Sequence, residues 1–123
     1  IDWEEATRPD FYSRYHNQPA VISDDAGARE VWAFDPRMTH NFSGKELRLK
    51  PGAQHRSREN GAYALMAWKG QGTVSDVPVH AWDFKQDELF VGYETATADH
   101  VIKNTGDSEL VLYKLFGPDV NAP

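Results

Sequence analysis

Short apolar segments, each cut off by turn-forming residues, run the length of this chain and leave no stretch suited to a sizeable helix. Glu46–Lys50 (ELRLK) shows the pattern most cleanly, with Leu47 and Leu49 facing one way and Arg48 and Lys50 the other. Pro51-Gly52 ends it. Upstream, Pro19–Ser23 and Arg29–Phe34 flank the turn Asp24-Asp25-Ala26-Gly27, and Thr39–Phe42 runs into Ser43-Gly44. Downstream, Tyr63–Trp68 is closed by Lys69-Gly70-Gln71-Gly72, and Thr73–Val79 carries a turn near Ser75-Asp76. Leu89–Val91 and Leu110–Phe116 are the last apolar strands. Asn104–Asp107 reads as a hairpin turn leading into Leu110–Phe116, because Asn, Gly and Asp tolerate left-handed backbone. At least eight strands, with turns roughly every 8–12 residues and no convincing helix, predict an antiparallel all-β sandwich or barrel.

Composition bounds the partners. The chain has 123 residues, enough for one domain with its own core. Its net charge of −6 argues against nucleic acid, whose binders carry a basic stripe. Cysteine is absent, which removes zinc ribbons, thiol nucleophiles and disulfides together. No apolar run approaches the length of a membrane span, and no signal-peptide core is visible, so a cytoplasmic location with no membrane partner is expected. The first residue is Ile1, which suits a chain processed or cut from something longer. Residues 1–18 read as an irregular arm with aromatic anchors Trp3, Phe11, Tyr12 and Tyr15, because Pro9 stops any early helix. Residues 19–118 are expected to form the barrel, and 119–123 a short tail.

Two stretches carry a more specific signal. Asp87–Asp107 runs from an apolar strand through small residues to His100, then three residues to Asn104. About thirty residues earlier, Leu47–Gly72 holds the Pro51-Gly52 turn, His55, and a strand closed by Gly70 and Gly72. Together these resemble the two motifs of the cupin superfamily, over Leu47–Phe116. The resemblance implies a jelly-roll β-barrel, commonly a homodimer, with a small-molecule site inside. It also implies a divalent metal (Fe, Mn, Ni, Cu or Zn) held by three histidines and a glutamate. Here the pattern departs: Ser57 stands at the second histidine position, Tyr63 at the glutamate position, and no proline follows Val91.

Imidazoles and a carboxylate suit first-row divalent ions, and two histidines with one carboxylate make a workable set. His55, His100 and Glu59 are the metal-ligand candidates, with Glu94, Gln54 and His40 also open as the third group. The competing reading makes both histidines hydrogen-bonded core residues. Tyr63 with His55 or His100 forms a candidate catalytic set without metal, one group taking a proton and another returning it. Arg48, Arg58 and Gln54 are candidate substrate-binding residues, since cations near a pocket mouth attract a carboxylate or phosphate; equally, such charges guard a sheet edge. The leading expectation is metal-assisted oxidation or isomerisation of a polar metabolite or sugar in the barrel. The alternatives are a metal-free sugar isomerase or epimerase, and a non-catalytic ligand-binding cupin forming half of a two-cupin protein.

Overall fold

Strand parity sorts this chain into an inside and an outside. In the computed structural model, which describes residues 21–34, 41–118 and 120–121, Tyr63, Leu65 and Ala67 of one strand are buried while Ala64 and Trp68 are exposed. The described residues form β1 (Val21–Asp25), β2 (Ala28–Phe34), β3 (Ser43–Leu49), β4 (Gln54–Ser57), β5 (Tyr63–Lys69), β6 (Gln71–Val74), β7 (Val77–His80) and β8 (Glu88–Val91). A short helix, α1 (Tyr93–Thr97), precedes β9 (His100–Asn104) and β10 (Leu110–Phe116).

Two antiparallel sheets result. One is six-stranded in the order β1-β2-β3-β10-β5-β8, and the other four-stranded in the order β4-β9-β6-β7. Leu47, Leu49, Leu65, Val74, Val79, Ile102, Leu110 and Leu112 fill the space between them. This is the expected all-β jelly roll. Two tight turns suit their strands' twist: Ala26-Gly27 joins β1 to β2 and Ser75-Asp76 joins β6 to β7, all four residues at positive φ.

Three local expectations change. Helix α1 forms where none was expected. Ala96 is wholly buried and anchors it, its N–H donating to the Gly92 carbonyl, while Thr97 Oγ1 donates to Tyr93 O at 2.7 Å. Five residues are too few to display a helical period in sequence. Ser43-Gly44 is not a turn but the start of β3, paired with Phe116 and Leu115. The strand expected over 39–42 falls partly outside the described residues, and Asn41 and Phe42 are not strand. The expected arm over 1–18 and His40 also lie outside them.

The third change concerns Asn104. Strands β9 and β10 lie in opposite sheets, so 104–107 does not close a hairpin but carries the chain across the barrel. Asn104 holds that crossing: its Nδ2 donates to Leu49 O at 3.0 Å and Ser108 O at 2.8 Å, and its Oδ1 accepts from Gly106 N at 2.9 Å. Loss of three bonds at a buried position makes Asn104→Ala cost about 2–3 kcal/mol, measurable by urea denaturation.

Candidate active site

The inward parity of three strands, joined by the segment after β4, brings charged side chains into the barrel. Strand β10 faces in with Leu110, Leu112, Lys114 and Phe116, and β3 with Lys45, Leu47 and Leu49. Register places Lys114 directly opposite Lys45. Two like charges so paired are destabilising unless something lies between them. Glu59, on the segment after β4, does: its Oε1 accepts from Lys45 Nζ at 2.5 Å and its Oε2 from Lys114 Nζ at 3.0 Å. Glu30 of β2 accepts from Lys114 at 2.7 Å, and Ser57 Oγ lies 2.6 Å from the same nitrogen. Lys114 is 0% exposed, and these three oxygens match its three N–H donors. Lys45 also sits over the Trp32 ring at 5.1 Å and the Phe116 ring at 5.5 Å. Two ammonium groups and two carboxylates leave the cluster formally neutral, as burial demands.

The aromatic pair lies beside this cluster. Tyr63 Oη and His100 Nε2 are 2.6 Å apart, and His100 Nδ1 is 2.9 Å from Ala98 O. A carbonyl only accepts, so Nδ1 carries the ring proton and Nε2 accepts from the Tyr63 hydroxyl. Burial, with the nearby Glu59 and Glu30 carboxylates, raises the Tyr63 phenol well above its ordinary range, so it stays protonated. His55 points inward from β4, with Nε2 3.9 Å from Glu30 Oε2. Burial lowers its pKa, Glu30 opposing, which keeps the imidazole neutral near pH 7. Burial works to raise the Glu59 carboxyl, but Lys114 and Lys45 outweigh it and hold it below the usual range.

These shifts give a sign for acid stability. Below the ordinary imidazole value of 6.5, the unfolded chain binds a proton that folded His55 does not. Stability therefore falls as pH drops from about 7 towards 5. A second loss follows as pH passes below 4.5 and through the depressed value of Glu59. Thermal melts of His55→Gln between pH 7 and 5 are expected to show a flatter slope than wild type.

The candidate residues separate by face. His55, Glu59, Tyr63 and His100 all meet the interior cluster. Gln54 is exposed on β4, on the face opposite His55 by parity. Arg48 lies on the outer face, its guanidinium held by Glu46 at 2.6 Å and Glu109 at 3.0 Å. Arg58 is exposed and donates to Thr97 O at 3.1 Å, which ties it to α1, where Glu94 is also exposed. Glu30, Lys45 and Lys114 were missed. A signal existed: Lys114 is a lone lysine at the inward parity of an otherwise apolar strand, LVLYKLF.

The fit to a metal is poor on the donor set. Glu30 and Glu59 are turned onto the Lys114 ammonium, and the His100 lone pair is taken by Tyr63. Among the described residues, no three His, Asp or Glu side chains are grouped to hold a metal ion. Likewise, no helix among them is long and apolar enough to cross a membrane.

No protein-family model matches the chain, and no curated protein matches it. Solved structures do. A Bacillus subtilis oxalate decarboxylase, described for its Mn(II) centres, superposes with a TM-score of 0.65 at 18% identity over 86% of this chain. The Lactobacillus farciminis oxalate decarboxylase, solved as a formate complex, gives a TM-score of 0.67 at 14% identity, also over 86%. The chain spans 29% and 33% of those two proteins' lengths. At such identities the likeness shows the fold alone.

Proposed function

We propose, on the premise of this cupin-like fold, that the chain is a small-molecule enzyme moving protons without a metal, isomerising or epimerising a polar, sugar-like substrate. The observation that carries the reading is the 2.6 Å Tyr63–His100 pair beside a Lys114 ammonium whose three donors are already met. Neutral His55 takes a proton from a carbon next to a carbonyl, leaving the electron pair in an enediolate. Tyr63 then gives its phenolic proton at the neighbouring carbon, while the hydroxyl proton of the enediolate passes to the former carbonyl oxygen and the second oxygen becomes the carbonyl. His55 returns its proton to the phenolate, so substrate and enzyme each balance. Lys114, with its ammonium 5.6 Å from the Tyr63 ring centre, stabilises the transient phenolate.

The test is proton NMR of an aldose and ketose panel with the protein in D2O. Deuterium is expected to enter at the carbon next to the carbonyl in at least one sugar. Tyr63→Phe is expected to slow that exchange by about 100-fold or more. No wash-in across the panel, or undiminished exchange in the variant, refutes the reading.

One alternative has its own support. The chain covers about a third of its structural neighbours, and its interior polar groups satisfy one another. A non-catalytic ligand-binding cupin within a longer protein fits both, and calorimetry showing sugar binding without exchange favours it. A homodimer belongs to the proposal too, since Trp68, Phe90 and Leu115 stay exposed; light scattering measures it.

A further inference from the structure

The interior cluster has the form of a cation site whose cation is covalently supplied. Lys114 Nζ is ringed by three oxygens, from Glu30 at 2.7 Å, Ser57 at 2.6 Å and Glu59 at 3.0 Å, the first on β2 and the other two on the stretch that ends β4. His55 Nε2 lies 3.9 Å from the Glu30 oxygen that faces the ammonium. With the ammonium in place these two carboxylates and the imidazole are not grouped to hold a metal ion, but their donor types suit Mn, Fe, Co or Zn. What they lack is a centre free of charge. Metal–oxygen bonds of about 2.0–2.2 Å require the Glu30 and Glu59 oxygens to move inward by up to about 1 Å from their present distances to the nitrogen.

We infer that the Lys114 ammonium is the barrel's own cation, excluding divalent metals from the wild-type protein, and that removing it uncovers a metal site ligated by Glu30, Glu59 and His55. Truncation at residue 114 leaves two buried carboxylates without their shared counter-charge and opens the space the side chain filled. A divalent ion restores both. This inference stands apart from the acid–base reading: exchange activity and metal uptake are separate measurements, and either result is obtainable without the other.

The experiment titrates wild type, Lys114→Ala and Lys114→Ala/Glu30→Gln with MnCl2 and CoCl2, following calorimetry, thermal melts and Co(II) visible absorption. Wild type is expected to show no saturable binding at millimolar metal. Lys114→Ala is expected to bind one equivalent, with new Co(II) bands and a Tm raised by roughly 10 °C at a hundredfold excess over Kd. The double variant is expected to lose at least tenfold in affinity. If Lys114→Ala folds only when metal is present, the inference is supported. It is overturned if wild type holds stoichiometric metal, if folded Lys114→Ala binds no tighter than wild type, or if it stays unfolded with either metal.

Discussion

Glu59→Gln is expected to lower stability at pH 7 by about 3–5 kcal/mol, the range for breaking a buried ion pair by removing one partner. The two side chains are nearly the same size, so the loss is electrostatic rather than a cavity. Glutamine presents a neutral carbonyl and an N–H2 donor where the carboxylate took one ammonium on each oxygen. Lys45 and Lys114 then face each other across neighbouring strands with nothing negative between them. Restoring neutrality by adding Lys45→Met is expected to recover part of the loss, and a double-mutant cycle in urea measures how much. The gap between wild type and Glu59→Gln is expected to close in acid. Glu59 has a depressed folded pKa, so its contribution is present above pH 4.5 and disappears as pH falls through the folded value. A gap that persists unchanged at pH 3 means the carboxylate charge is not what stabilises the barrel.

Gly72→Ala is expected to cost about 3 kcal/mol or more, at the top of the range for overpacking. A Cβ at that position meets the Lys103 carbonyl oxygen at 2.1 Å and Leu110 Cδ2 at 2.7 Å. The oxygen belongs to the backbone of β9, which pairs with β6 through Gly72 and Asn104. It moves only if the two strands separate, and with them the wall that carries His100. Gly52→Ala separates this steric effect from backbone strain. Nothing lies within 4 Å of its added Cβ, but its φ is +79°, so about 1 kcal/mol is expected. Equal losses in the two variants contradict the packing account; a larger loss at Gly72, with weakened protection of β6 and β9 amides, agrees with it.

Gly72 also shows how far local pattern reaches. It entered as the closing glycine of a strand, and the turn residues around it marked where β5 ends. Its tight fit against β9 was invisible, because β9 begins nearly thirty residues later. Asn104 behaves alike. The turn chemistry at 104–107 was readable, since an asparagine accepting from the N–H two residues on needs only local chain. Which strands that turn connects was not, because β9 and β10 pair with strands remote in sequence.

The interior site divides along the same line. Alternation put Leu47 and Leu49 on one face, and the resemblance to the two cupin motifs singled out His55 and His100. Arg48 looked available as a cation, but Glu109, sixty-one residues away, holds it on the outer surface. Lys114 went unnoticed in the strand pattern, and only the fold brings Glu30 from β2 and Ser57 and Glu59 from the end of β4 onto it. Residue order alone determined the β-rich architecture and the turns at Ala26-Gly27 and Ser75-Asp76, because period and turn preference act over a few neighbouring residues. Tertiary structure alone decided that an ammonium sits at the barrel's centre. A buried charge is stabilised by groups brought together through sheet pairing, and the sequence separations of those groups carry no trace of it.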